Sequence, residues 1–441
     1  MGETLAASDL LYRKITIRLI PILFICYGIA AIDRVNVGFA RLQMSADLSL
    51  SATSFGFGAG LFFWAYALLE TPSNLVLHRI GARVWLTRIM VTWGVITIGT
   101  AFIQTSTQYY VARLLLGAAE AGFYPGVVYY LSQWFPERHR GQALSLLFIG
   151  GLMGLMLVGP FSTIAMTSLD GVFNLNGWRW MFIASGLLAV VAAPALYYIL
   201  PDDPDKASWL SGPEKAIARK SLLLADDHAK AVSWSRDALA YKTWLAGFIV
   251  ASIYIGSYAI IFWLPSIIRS SGVKDPGTIG WLSTIPFLGA MIVTVAVNRL
   301  ADRLSRRRLA FVGAAFFMAI AMIWASRPGQ TLLPGLTGIT IAFAAQCAMI
   351  PIAFTLTSGL YSTSKSRAAG LALVNTIGSF GSFFGPYVMG LSTDKYGSTE
   401  PAFISIAVLC FFSGLLVFFL PLARADSVPP TDVNDGSPAY K

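Results

Sequence analysis

Twelve apolar runs, each long enough to cross a bilayer, divide this chain of 441 residues. A spanning helix needs about 20 predominantly apolar residues. The runs fall at 17–39, 54–77, 84–103, 108–131, 143–166, 179–200, 243–268, 278–297, 309–325, 332–360, 368–391 and 401–420. Only 12% of the residues are charged and 56% are hydrophobic, with a mean hydropathy of +0.65. A soluble domain carries about 25% charged residues, so this chain cannot cover a water-facing surface. Lipid is its expected solvent, in an all-α polytopic fold of twelve transmembrane helices.

The net charge of +10 reflects topology, not nucleic-acid binding. Arg13, Lys14 and Arg18 lie at the first run, Arg79, Arg83 and Arg88 between the second and third, and Arg138 and Arg140 before the fifth. Arg299, Arg303, Arg306, Arg307 and Arg308 follow the eighth, and Lys365 and Arg367 precede the eleventh. These connections share one side, and the opposite loops hold only scattered cases such as Arg41, Lys274 and Lys395. Positive charge marks the cytoplasmic side, so both termini are expected there, in a bacterial inner membrane. The first run exceeds a signal-peptide core, so it is expected to remain as the first span.

The pattern predicts a cytoplasmic N-terminus (1–16), a six-helix half (17–200), a cytoplasmic linker (201–242), a second six-helix half (243–421) and a disordered cytoplasmic tail (422–441). His78, His139 and His228 have no ligand spacing, and Cys26, Cys347 and Cys410 lie inside apolar runs. Neither metal nor disulfide nor cofactor is expected. Gly56, Gly58 and Gly60 sit in a spanning run without the preceding strand of a nucleotide loop, so they read as helix packing. No catalytic constellation appears, and an enzyme is not expected.

The two halves repeat. Asn74 through Arg79 and Arg83 leads out of the second run as Asn298-Arg299-Leu300-Ala301-Asp302-Arg303 leads out of the eighth. Arg140 matches Arg367, and Gly159-Pro160 matches Gly385-Pro386. Parallel repeats of this kind place a substrate site between the halves near the midplane. The repeat resembles the major facilitator superfamily. Asp33-Arg34-Val35-Asn36, Pro72-Ser73-Asn74-Leu75, Gly117-Ala118-Ala119-Glu120-Ala121-Gly122-Phe123, Trp134-Phe135-Pro136 and Gly177-Trp178-Arg179-Trp180 are similar to its anion:cation symporter family. Within that family the likeness is to the branch of tartrate and 4-hydroxyphenylacetate permeases. It implies a major facilitator fold and a cytoplasmic gate built from Arg79, Arg83, Arg140, Asp302, Arg303 and Arg367.

Ionisable groups deep in a bilayer cost at least about 2.5–3.5 kcal/mol each, so Asp33, Arg34, Arg113 and Glu120 demand a reason. At about 1.5 Å rise per residue, Asp33 and Arg34 lie about 24–26 Å up the first run. Arg113 lies about 7–8 Å down the fourth, level with them, and Glu120 about 18 Å, near the midplane, so one cationic and two acidic groups can line one cavity. Arginine suits a carboxylate because its planar fork makes two parallel hydrogen bonds. The resemblance implies proton linkage at Asp33 and Glu120, and substrate binding or coupling at Arg34 and Arg113. Asn375, Tyr66 and Tyr258 are further candidates for substrate contact, and Tyr27, Tyr254 and Trp263 are candidate walls. A glutamine that touches substrate hydroxyls in the resembled family is replaced here by Gly151, which is expected to leave room for a flatter acid. The expected function is proton-coupled import of an organic carboxylate anion by a monomer that binds no nucleic acid. An efflux antiporter and a non-transporting sensor are the alternatives.

Overall fold

The computed structural model describes residues 2–226, 239–327, 329–361 and 363–421. The expected disordered tail and the middle of the linker lie outside the described residues. The N-terminal half holds α1 (Gly2–Val35), α2 (Val37–Asp47), α3 (Ala52–Ile80), α4 (Ala82–Thr100), α5 (Ser106–Glu120), α6 (Phe123–Ser132), α7 (Glu137–Ser168) and α8 (Gly177–Ile199). A linker helix, α9 (Gly212–Asp226), follows. The second half holds α10 (Tyr241–Ser270), α11 (Pro276–Leu282), α12 (Thr284–Arg303), α13 (Arg307–Ala325), α14 (Leu332–Ser358), α15 (Ser364–Gly381), α16 (Phe384–Tyr396) and α17 (Glu400–Leu415). No strand occurs among the described residues.

Twelve rods emerge when α1–α2, α5–α6, α11–α12 and α15–α16 are each taken as one crossing; at Asn36, Ser283 and Phe383 the backbone stays right-handed helical, and of these four only the α5–α6 rod turns sharply. Among the described residues, ten segments are long and apolar enough to span on composition alone. The other two are α4, which begins with Arg83 and Arg88, and the α15–α16 rod, rich in small and polar residues. The turn in the α5–α6 rod has a local cause. Gly122 takes a left-handed conformation (φ 87°) between α5 and α6, and a Cβ there would collide with the Ser73 side chain. Only glycine serves at such a point. Discontinuous helices of this kind bring backbone ends and polar side chains to midspan.

Helix packing relies on close backbone approach, as expected where no hydrophobic force separates helix from lipid. Gly117 sets α5 against the Phe62 carbonyl of α3, and Gly186 of α8 faces Gly94 of α4. The two halves touch at the ends of the rods away from the termini. There Gly56 approaches Pro386, Gly159 approaches Gly280 and Gly38 approaches Phe262. Asp394 of α16 accepts from the backbone N–H groups of Ala52 (3.0 Å) and Thr53 (2.7 Å), capping α3 of the opposite half. The linker is less loose than a solvated connection. Trp209 stacks on Trp134 with ring centroids 5.8 Å apart, and Lys14 pairs with Glu214 at 2.9 Å. That hydrogen bond from Lys14 holds the Glu214 carboxyl below the usual range.

Gly117→Ala tests this packing. A methyl group forced against the Phe62 backbone costs typically 1–3 kcal/mol. Thermal unfolding of the detergent-purified variant is expected to shift down accordingly, and an unchanged midpoint contradicts the close contact.

Candidate functional site

Glu120 is the last residue of α5, immediately before the break at Gly122, and is 1% exposed. Its Oε1 accepts from both Nε (3.1 Å) and Nη2 of Arg34, which reaches across from the first rod. Arg34 keeps a fifth of its side chain exposed, within reach of Tyr258 from the second half. Its guanidinium also lies 5.1 Å from the Tyr66 ring and 5.6 Å from the Phe62 ring. The second carboxylate oxygen of Glu120 is buried without a hydrogen-bond partner. An incompletely satisfied buried carboxylate is costly, so this atom marks where a proton or a donor group fits.

Asp33 turns the other way, into the core of its own half. It is 1% exposed and accepts from Thr97 Oγ1 (2.8 Å) and, at long range, from Asn36 Nδ2 (3.4 Å). Asn36 in turn donates to Ser185 Oγ at 3.0 Å. Asn36, Thr97 and Ser185 were not singled out from the sequence. The signal for Asn36 is a buried amide one turn beyond two charged residues.

Arg113 is 1% exposed and does not open to the central space. It sits 4.9 Å from the Phe62 ring, reaches the Ala59 carbonyl only at 3.5 Å, and leaves Nε and Nη1 without partners. It remains within electrostatic reach of Asp33, Glu120 and Arg34. The four intramembrane charges are therefore neighbours, but only Arg34 and Glu120 touch.

The tyrosine candidates gather around this pair. Tyr66, Tyr258 and Tyr27 lie within electrostatic reach of Arg34. Tyr258 packs on Phe63 with centroids 4.3 Å apart, and Tyr27 stacks on Tyr124 at 5.2 Å. From the second half, Asn375 meets the Tyr254 hydroxyl at 3.4 Å. Trp263 lies outside this group: it is buried at the closed face, under Arg41. Glu70 is within electrostatic reach of Arg34 and Tyr66.

The room expected at Gly151 is not empty. A Cβ there would stand 2.5 Å from Cε1 of Tyr27, so the phenol ring fills the space that a side chain at 151 needs. Glycine at this position seats Tyr27. The correction has a steric cause that no single-residue reading shows, since Tyr27 lies on another helix.

At the other end, three of the six residues expected to form a gate make side-chain bonds, each within its own half. Arg83 donates to the Tyr197 carbonyl (2.6 Å), Arg140 to the Phe135 carbonyl (3.2 Å), and Asp302 pairs with Arg307 (2.9 Å). Among the described residues no side-chain bond at Arg79, Arg83, Arg140, Asp302, Arg303 or Arg367 joins the two halves.

The sequence matches the Major Facilitator Superfamily over residues 23–275 and 246–438, and the chain belongs to that family. It is 39% identical to a protein named putative metabolite transport protein NicT from Pseudomonas putida, over 93% of this chain and 94% of the relative. It is 36% identical to a quinolone resistance transporter of Acinetobacter baumannii, over 97% and 98%. A putative tartrate transporter of Agrobacterium vitis is 36% identical over 92% and 94%. The inward-open xylose transporter XylE from E. coli superposes with a TM-score of 0.77 at 14% identity, over 93% of this chain and 98% of that one. The protein is an integral membrane transporter, not an enzyme.

A double-substitution cycle tests the central pair. Arg34→Gln leaves Glu120 buried and unpaired, a loss of about 3–5 kcal/mol for a broken buried ion pair. Adding Glu120→Gln is expected to recover much of it, measured by thermal unfolding. Additive losses contradict direct pairing.

Proposed function

We propose that this member of the superfamily is a proton-coupled symporter that imports a small organic carboxylate across the bacterial inner membrane, as a monomer with both termini in the cytoplasm. The observation that carries the reading is the Arg34–Glu120 pair, half satisfied and open on the arginine side. An incoming carboxylate competes with Glu120 for the Arg34 fork. Glu120 loses its cation in a buried setting, where a free carboxylate is untenable, and a proton on its carboxyl oxygen restores neutrality. Release reverses both steps: the substrate leaves Arg34, the proton leaves Glu120, and the pair reforms.

Asp33 is a second proton site one helical step away, and Arg113 supplies fixed positive potential behind both acids. Asn375 and Tyr254 serve as contacts from the second half, so the substrate touches both halves. The wall of Tyr27, Tyr66 and Tyr258 offers flat faces and phenolic hydroxyls. That favours aromatic carboxylates and tartrate-like acids over long polyols. The gate residues close the cytoplasmic end when the other face opens.

The relative named for quinolone resistance favours a second reading, proton-driven efflux through the same site. Transport assays in proteoliposomes separate the two. The symporter concentrates an aromatic carboxylate or tartrate under an inward proton gradient, whereas the antiporter uses proton entry down that gradient to expel its cargo. In the symporter at least one of Asp33→Asn and Glu120→Gln is expected to lose uphill uptake and keep counterflow, which needs no net proton movement. If both still accumulate substrate uphill, coupling does not run through these acids.

A further inference from the structure

On the face away from the termini, apart from the Arg34–Glu120 pair, lies a pocket of about 360 Å³. Its lining includes Arg41 and Ser45 from the first half and Ser266, Arg269 and Ser270 from the second, and no carboxylate. Arg41 is fixed there: its guanidinium stacks 4.3 Å over Trp263 and 5.3 Å from Phe55, and donates to Ser266 Oγ at 3.1 Å. Arg269 donates to the Leu42 carbonyl at 3.0 Å. A guanidinium carries five N–H donors, so each arginine retains donors beyond these bonds. The Ser45 hydroxyl is buried without a hydrogen-bond partner. Asp394, the carboxylate within electrostatic reach of Arg41, already uses both oxygens to cap α3 at Ala52 and Thr53.

We propose that this pocket binds a small oxyanion, either a carboxylate or an inorganic sulfate, between Arg41 of one half and Arg269 of the other. Two guanidinium groups and the unpartnered Ser45 hydroxyl, in a lining without a carboxylate, match an oxyanion in charge and in donor type. Because the site is assembled from both halves, it exists only while this face is shut. An anion seated there therefore favours the closed-face state by the ratio of its affinities for the two states. The site does not depend on the identity of the cargo bound at Arg34.

The test is thermal unfolding of the full chain in detergent, titrated with sodium sulfate and separately with sodium acetate, against sodium chloride at equal ionic strength. A saturable rise with sulfate or acetate is expected, and which anion saturates identifies the source. Arg41→Gln and Arg269→Gln are each expected to weaken the apparent affinity about tenfold, as for loss of a charge-assisted contact of about 1.4 kcal/mol. Lys395→Gln, which removes an exposed cation outside the pocket, is expected to leave it unchanged. Arg269 is exposed, so Arg269→Gln keeps the test decisive should Arg41→Gln fail to fold. A rise indistinguishable from chloride, or a saturable one that survives both variants or disappears only in Lys395→Gln, overturns the proposal.

Discussion

The buried ion pair between Arg34 and Glu120 is the interaction on which the centre of the molecule depends. In a membrane interior neither group can be left alone. The fourth rod ends its first segment at Glu120 because Gly122 turns the chain, whereas the first rod stays right-handed helical through Asn36, two residues beyond Arg34. The turn at Gly122 sets Glu120 at a helix end, the long side chain of Arg34 reaches across to it, and the surrounding tyrosines give the pair a partly polar lining.

Around that centre the packing is asymmetric. On the face away from the termini, glycine contacts, the Asp394 cap and two arginines tie the halves together. On the other face Arg83, Arg140 and Asp302 spend their bonds within their own halves. Opening the tied face must break the cap at α3 and expose donors at Ala52 and Thr53, and water can take these over at the membrane edge. The cost is modest because each net hydrogen bond contributes only about 0.5–1.5 kcal/mol. Alternating access needs two faces whose closures are of similar strength, and contacts of this size suit exchange better than a large apolar seal.

The rods were legible because a bilayer imposes length and hydropathy on every crossing, and the four charges were legible because lipid makes them conspicuous. Their partners were not. Thr97 and Ser185 hold the Asp33 and Asn36 pair, yet threonines and serines occur throughout these helices, and most bond their own backbone, as Thr87, Thr92 and Thr100 do. The glycine at 151 was legible as an absence, but its meaning lay in Tyr27 on another helix. Depth along a rod gave Arg113 the right neighbours without telling which way it points. Rotation about a helix axis depends on packing that a depth estimate does not contain.

The charge count of the central group constrains how the proposed coupling works. Asp33, Arg34, Arg113 and Glu120 sum to zero when the acids are ionised, so the empty site is neutral and can reorient without an exposed net charge. A monoanion bound at Arg34 brings the sum to minus one, and one proton on Glu120 returns it to zero. A dianion needs a second proton, and Asp33 is the one remaining acid of the four. The cost of carrying an uncompensated charge through a low-dielectric interior is several kcal/mol, which blocks the half-loaded carrier and leaves the neutral states free to move. On this reading coupling requires no dedicated switch beyond the two acids. It follows from the rule that the buried group crosses only when its charges balance.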